Sequence, residues 1–206
     1  MQLPSHFYAM VDTAGGHTPV DLARQLLDAG ARVMQLRLKD VGSRDFLAAA
    51  RDIAQLCRTR QALLIVNDRV DIAMLTDADG VHLGQQDVPL EAARALLGPD
   101  KLIGISTHTV EQAMAAEQGG ADYIGFGAIY SGGLKNAAHP RGLDRLREVR
   151  AAVKLPIVAI GGITEATMPE VLAAGADACA IITDVVRAPN LAAKVEALLS
   201  LGAHRG

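Results

Sequence analysis

QGGADYIGFG, at positions 118–127, reads as the end of a helix, a glycine stop, an alanine and then a short apolar run. Glycine closes helices because it takes up left-handed backbone angles without steric cost. A short apolar run that follows such a stop at once reads as a buried strand. The same phrase recurs three times: DAGARVMQLRL (28–38), TDADGVHLG (76–84) and AAGADACAII (173–182), each with Gly or Asp as the closing residue.

Working outward from these anchors gives a regular alternation. Strand-like runs fall near 6–11, 32–38, 62–67, 79–83, 101–106, 121–127, 155–160 and 177–182. Helical patterns lie between them. In SRDFLAAARDIAQLC (43–57), Phe46, Leu47, Ala50, Ile53, Ala54 and Cys57 share one face. TVEQAMAAEQGG (109–120) opens on a threonine cap and ends in glycines; TEATMPEVLAAG (164–175) repeats the scheme, with Glu165 in its first turn. Eight strands alternating with helices predict an α/β fold, a (β/α)₈ TIM barrel forming a single domain over residues 1–206. An open doubly wound sheet is the alternative, and eight near-even repeats favour closure.

Composition narrows the function classes. The 206 residues are half apolar with a net charge of −3, which excludes a disordered chain and gives no charge signal for nucleic acid or an anionic membrane. Three Tyr, three Phe and no Trp make a poor stacking platform for single strands. Cys57 and Cys179 stand alone, without disulfide or zinc spacing. No apolar run approaches the ~18 residues of a membrane span. The N-terminus lacks a basic stretch and long apolar core, so a soluble, cytoplasmic protein is expected. A homo-oligomer is left open.

In such a barrel the chemistry lies at the C-terminal ends of the strands, and the unusual polar residues collect there. Gln35, Arg37 and Lys39 alternate at period two and so face one side, with Leu36 and Leu38 on the other. Cations inside a barrel need an anion to meet. Strand three runs into Asn67 and Asp68, and the loop after strand four carries Asp87. Two carboxylates from adjacent strands, close to cations, suit Mg²⁺, which takes one or two carboxylates plus substrate phosphates. Helix capping is the other reading of either Asp, and Asp87 stands just ahead of Pro89. Strand five ends in Ser106, Thr107 and His108; Thr109 is the expected cap, which frees Ser106 for the mouth.

The loop 131–142 is long, and Lys135 in it follows a glycine pair, Gly132 and Gly133. After strand seven, Gly161 and Gly162 face Thr183 and Asp184 after strand eight, where barrels often hold a phosphate on backbone N–H groups. His82 is expected to be an interior hydrogen-bonded residue and His139 to be exposed. His108 is kept as a candidate acid or base, and no zinc spacing is present. Two anion subsites in one mouth suggest a transferase.

The segments QLRLKD (35–40), VNDRVDIA (66–73), DGVHLGQQD (79–87), IGISTHT (103–109), ADYIGFGAIY (121–130) and VAIGGI (158–163) resemble thiamine-phosphate synthase in order and spacing over nearly the whole chain. The resemblance implies a (β/α)₈ barrel that joins a hydroxymethylpyrimidine diphosphate to a thiazole phosphate, with Mg²⁺ and release of diphosphate. It implies that Gln35, Arg37, Lys39 and Asn67 hold the pyrimidine diphosphate and that Asp68 and Asp87 hold Mg²⁺. Ser106 would contact the pyrimidine or diphosphate and Lys135 would grip the diphosphate, with Arg37, Ser106 and Lys135 the residues closest to the chemistry. Gly162, Ile182 and Thr183 would take the thiazole phosphate. The family reads T-x-T-K before its loop lysine, whereas this chain reads Gly132-Gly133-Leu134-Lys135; its final serine is Thr183 here. A thiazole tautomerase-like isomerase, or a non-catalytic thiazole-phosphate-binding barrel, is the alternative. A sugar-phosphate epimerase would need a His-bound metal between acid–base carboxylates, a pairing absent from this rim.

Overall fold

Eight strands and the helices between them follow in strict alternation in this computed structural model, which describes residues 3–13, 16–131 and 140–201. The order is β1 (Phe7–Val11), α1 (Pro19–Asp28), β2 (Val33–Leu36), α2 (Ser43–Thr59), β3 (Leu63–Asn67), α3 (Val70–Thr76), β4 (Gly80–Leu83) and α4 (Leu90–Leu97). It continues with β5 (Leu102–Thr107), α5 (Val110–Gln118), β6 (Tyr123–Gly127), α6 (Gly142–Ala152), β7 (Ile157–Ile160), α7 (Met168–Ala173) and β8 (Ala178–Ile181). A short α8 (Thr183–Val186) and α9 (Leu191–Leu201) follow. All neighbouring strands pair in parallel, and β8 pairs with β1, closing the barrel.

The repeated phrase has one structural meaning in all four copies. Gly30, Asp77, Gly120 and Gly175 each take positive φ, at 100°, 51°, 85° and 112°. The alanine that follows each of them donates its N–H back into the preceding helix: Ala31 to Leu26, Ala78 to Ala73, Ala121 to Ala116 and Ala176 to Val171. This is the six-to-one bond of a left-handed helix stop, and it turns the chain directly into the next strand. In three copies the next residue is an aspartate that clamps the neighbouring strand. Asp79 accepts from Leu64 N at 2.7 Å, Asp122 from Ile103 N at 2.7 Å and Asp177 from Ile157 N at 2.8 Å.

The strands are buried on both faces, as a sheet covered outside by helices requires. The larger apolar layer lies between barrel and helices and includes Leu36, Val66, Val81, Ile124 and Phe126. A smaller inner cluster fills the barrel, with Tyr8, Met10, Val33, Ile65, Tyr123 and Val158 among its members. Two glycines make room for the rings inside. A Cβ on Gly104 would lie 2.1 Å from Tyr123 Cζ, and one on Gly125 would lie 3.0 Å from His82 Cε1.

Two boundaries differ from the sequence reading. β2 ends at Leu36, so Arg37 and Lys39 project from the loop just beyond the strand. The expected helix at 164–175 begins only at Met168, and Glu170 replaces Glu165 in its first turn. Pro169 explains the shift: its missing N–H is tolerated in a first turn but would break the interior of a helix begun at Thr164. Thr164 to Thr167 instead form a turn, in which Thr164 N donates to Thr167 Oγ1 at 3.0 Å. No helix among the described residues is long and apolar enough to cross a membrane.

Candidate active site

A cleft of about 660 Å³ opens at the C-terminal ends of the strands. Of the residues singled out in the sequence, Gln35, Arg37, Asn67, Ser106, Gly162, Ile182 and Thr183 line it, whereas Lys39, Asp68 and Asp87 do not. Lys135, together with Gly132, Leu134 and His139, lies outside the described residues.

The period-two reading of strand two holds through its end. Gln35 is buried and faces the cleft and Arg37 follows it at half burial, while Leu36 and Leu38 enter the outer core. Lys39 reaches across so that its Nζ lies 3.9 Å from Asp68 Oδ2. Asp68 itself sits at φ 64°, a left-handed position that a short polar residue tolerates, and its N–H is anchored to His82 O at 2.8 Å.

Asp68 and Asp87 stand against each other. Burial first, and then hydrogen bonding and charge repulsion from Asp87, push the Asp68 carboxyl above the ordinary carboxylate range, while Lys39 and Arg37 oppose the rise. Neither residue caps a helix: α3 and α4 follow Arg69 and Pro89, and Asp87 Oδ2 accepts from Gly84 N at 2.6 Å within its own loop. Among the described residues no group of three or more His, Cys, Asp or Glu could hold a metal. Two adjoining carboxylates with oxygen donors alone fit a hard cation that keeps sites open for substrate oxygens, as Mg²⁺ does. A soft or fully caged ion does not fit them.

The floor of the cleft is a continuous hydrogen-bonded row. Gln35 Nε2 donates to Tyr8 OH at 3.1 Å, and the Tyr8 and Tyr123 hydroxyls meet at 2.9 Å. Tyr123 OH lies 3.1 Å from His82 Nδ1, and His82 Nε2 lies 2.9 Å from Ser106 Oγ. Burial pushes the His82 imidazole down to about 4, so it is neutral at physiological pH; the Asp87 charge opposes this weakly. His82 is thus the hydrogen-bonded interior residue expected. Its tyrosine partners were not legible as site residues, because Tyr8 and Tyr123 sit in apolar strands where an aromatic ring normally means core. Gln85 Nε2 fixes the end of β5 from the side by donating to Ser106 O at 2.7 Å. Thr109 caps α5 by accepting from Gln112 N at 3.2 Å, while His108 is exposed at the cleft edge with its Nδ1 at Gly127 O.

At the opposite end, Gly161 and Gly162 turn at φ 101° and 66°, packed against Ala128 and Tyr130 so closely that any Cβ would collide. Asp184 holds this turn to α8: its Oδ2 accepts from Glu165 N at 2.9 Å, and Lys194 Nζ pairs with both Glu165 and Asp184, at 2.6 and 3.3 Å. Lys194 thereby offsets one of the two acidic charges beside the glycine turn. Arg187 lines the same end, and its guanidinium makes no ion pair with another described residue. The sequence reading missed Arg187; its only signal was its position four residues past Thr183.

Arg37 thus lines the cleft near β2, with Lys39 and the carboxylate pair on the adjoining rim of β2 to β4, and a glycine turn with Arg187 lines it near β7 and β8. Such a site can bind two anionic molecules at once, with a polar floor between them. A family model described as thiamine monophosphate synthase matches residues 7–185. The chain is 45% identical over 194 residues to the thiamine-phosphate synthase of Moorella thermoacetica, covering 93% of this chain and 92% of that one. It is likewise 45% identical over 192 residues to that of Methanospirillum hungatei, covering 93% of each. Among solved structures, thiamine phosphate pyrophosphorylase from Pyrococcus furiosus superposes with a TM-score of 0.87 at 36% identity, covering 95% of both chains.

Proposed function

The chain belongs to the thiamine monophosphate synthase family, and on that footing we propose that it joins hydroxymethylpyrimidine diphosphate to thiazole phosphate, giving thiamine phosphate and diphosphate. What supports this reading is the barrel mouth, with Arg37, Lys39 and a carboxylate pair along the β2 to β4 side and a glycine turn with Arg187 on the β7 and β8 side.

Gln35 and Ser106 bind the pyrimidine ring at the floor, and Arg37, Lys39, Asn67 and Lys135 hold the diphosphate. Asp68 and Asp87 would hold Mg²⁺, which would supply positive charge to stabilise the departing diphosphate. The glycine turn at Gly162 and the start of α8 at Ile182 and Thr183 take the thiazole phosphate, and Arg187 adds charge at that end. The C–O bond to diphosphate breaks first, and diphosphate keeps the electron pair. The pyrimidinylmethyl cation left behind is stabilised by its own amino group, and the thiazole nitrogen lone pair then forms the new C–N bond. No protein nucleophile is needed. The residues contribute by stabilising charge on the departing group and by aligning the two reactants.

Purified protein supplied with both substrates, with and without Mg²⁺, tests the reading through the appearance of thiamine phosphate. Magnesium-dependent product is the expected result. Absence of product, from folded protein that still binds thiazole phosphate, would move the assignment to a tautomerase-like or non-catalytic barrel. The loss of both loop hydroxyls at Gly132 and Leu134 would then be the feature to examine.

A further inference from the structure

Gln35 and Ser106 sit at the two ends of one unbroken row, Gln35–Tyr8–Tyr123–His82–Ser106, whose four contacts span 2.9 to 3.1 Å. The two hydroxyls in the middle are buried, and each has a single hydrogen to give. A neutral imidazole carries one N–H and one bare nitrogen, so it too passes on a single donor. A row of this kind has two arrangements without a missing or doubled hydrogen.

In one, Gln35 Nε2 donates to Tyr8, Tyr8 to Tyr123, Tyr123 to His82 Nδ1, and His82 Nε2–H to Ser106 Oγ. Gln35 then shows the cleft a carbonyl oxygen, and Ser106 shows it an O–H. In the other every bond reverses: Ser106 donates to His82, and the row ends with Tyr8 donating to a Gln35 amide turned over. Gln35 now offers N–H and Ser106 offers a lone pair. A mixed state leaves two buried oxygens, or two hydrogens, facing each other at hydrogen-bond distance, which costs the desolvation of a buried polar group.

We propose that Tyr8, Tyr123 and His82 are positioning residues that couple the hydrogen-bonding sense of Gln35 to that of Ser106, so that the two ends are never both donors to a ligand. The ligand that fits is a heteroaromatic ring whose edge pairs a donor with an acceptor, such as an exocyclic amine beside a ring nitrogen. An edge with two acceptors fits neither arrangement. The inference rests on the proposed function, in which Gln35 and Ser106 meet the pyrimidine.

The test compares three hydroxymethylpyrimidines as competitors of the diphosphate substrate, bearing 4-amino, 4-oxo or 4-methoxy groups. The amino and oxo forms each pair a donor with an acceptor, in opposite senses; the methoxy form offers two acceptors. In the unaltered protein, the amino and oxo competitors are expected to inhibit, and the methoxy one to be weaker than the amino by about tenfold. Tyr123→Phe cuts the row in the middle and keeps Gln35 and Ser106, the two groups that meet the ring, in place. It should shrink the methoxy-to-amino ratio to within about threefold, because each end can then turn independently.

The change of the ratio between the two proteins cancels the extra bulk of the methyl group, and a merely structural role for Tyr123 would weaken all three competitors alike. Tyr8→Phe cuts the same row at the next link and serves if Tyr123→Phe does not fold. A methoxy competitor as good as the amino one in the unaltered protein overturns the coupling, and so does a ratio unchanged in both cut variants. Failure of the amino form to compete at all, with no thiamine phosphate formed, would instead remove the functional reading beneath it.

Discussion

His82 gives the barrel a measurable weakness to acid. Its imidazole is buried in the barrel floor between two hydroxyls, and burial lowers its proton affinity from the ordinary 6.5 to about 4. The unfolded chain therefore takes up a proton at this site before the folded chain does. Stability is full above about pH 6.5 and drains away as the pH falls toward 4, since the unfolded state binds more protons throughout that window. At about 1.4 kcal/mol for each pH unit, the interval amounts to about 3 kcal/mol, a large share of the ~5–15 kcal/mol that holds a typical domain folded. Denaturant melts of the unaltered protein and of His82→Gln, run in chelator from pH 7 to pH 4, isolate this contribution, because carboxylate titrations shared by both proteins cancel in the difference. The unaltered protein should lose about 3 kcal/mol more than the variant, most steeply between about pH 5 and 6. Parallel curves, agreeing within about 0.5 kcal/mol across the range, would mean that His82 titrates as in water and would refute the argument from burial.

Further outcomes follow from the same geometry. Asp87→Ala should keep a native-like melting curve and lose magnesium-dependent turnover by about 100-fold or more, since Asp68 alone would remain to hold the ion; normal activity in that variant would remove Asp87 from the site. Gly104→Ala forces a methyl group to within 2.1 Å of Tyr123 Cζ. It should destabilise by about 1–3 kcal/mol or more in a denaturant melt, whereas an unchanged midpoint would show that the Tyr123 ring can move aside. Arg187→Ala should raise KM for thiazole phosphate by about fivefold and leave KM for the pyrimidine diphosphate unchanged. A change in the second KM instead would place Arg187 at the wrong end of the cleft.

The repeated stop-and-strand phrase made the fold legible, because a left-handed glycine or aspartate is a local requirement that sequence displays directly. Period-two alternation likewise put Gln35 and Arg37 on the cleft side, and the adjoining strand ends put Asp68 beside Asp87. The start of α7 was less legible. A threonine followed by an acidic residue resembles a helix start at Thr164, and only the position of Pro169 shows that the helix must wait for Met168. The tyrosine row was hidden for a different reason. Tyr8 and Tyr123 come from strands 115 residues apart in the chain. Their meeting depends on barrel closure and on the ring-sized gap above Gly104, neither of which is written near either tyrosine.

The aspartate clamps make the barrel unequal around its circumference. Asp79, Asp122 and Asp177 tie β4 to β3, β6 to β5 and β8 to β7, forming three bound doublets of staves. In the first copy of the phrase the same place is held by Arg32, so β1 and β2 have no such tie. Of the eight strands, β1 and β2 are the two that take part in no such clamp. Thermal breathing that parts the staves is expected to begin at β1 and β2, the strands that carry Tyr8 and Gln35 to the floor. The Gln35 and Tyr8 end of the polar row is thus mounted on the two unclamped strands, while its His82 and Ser106 end stands on staves already fastened.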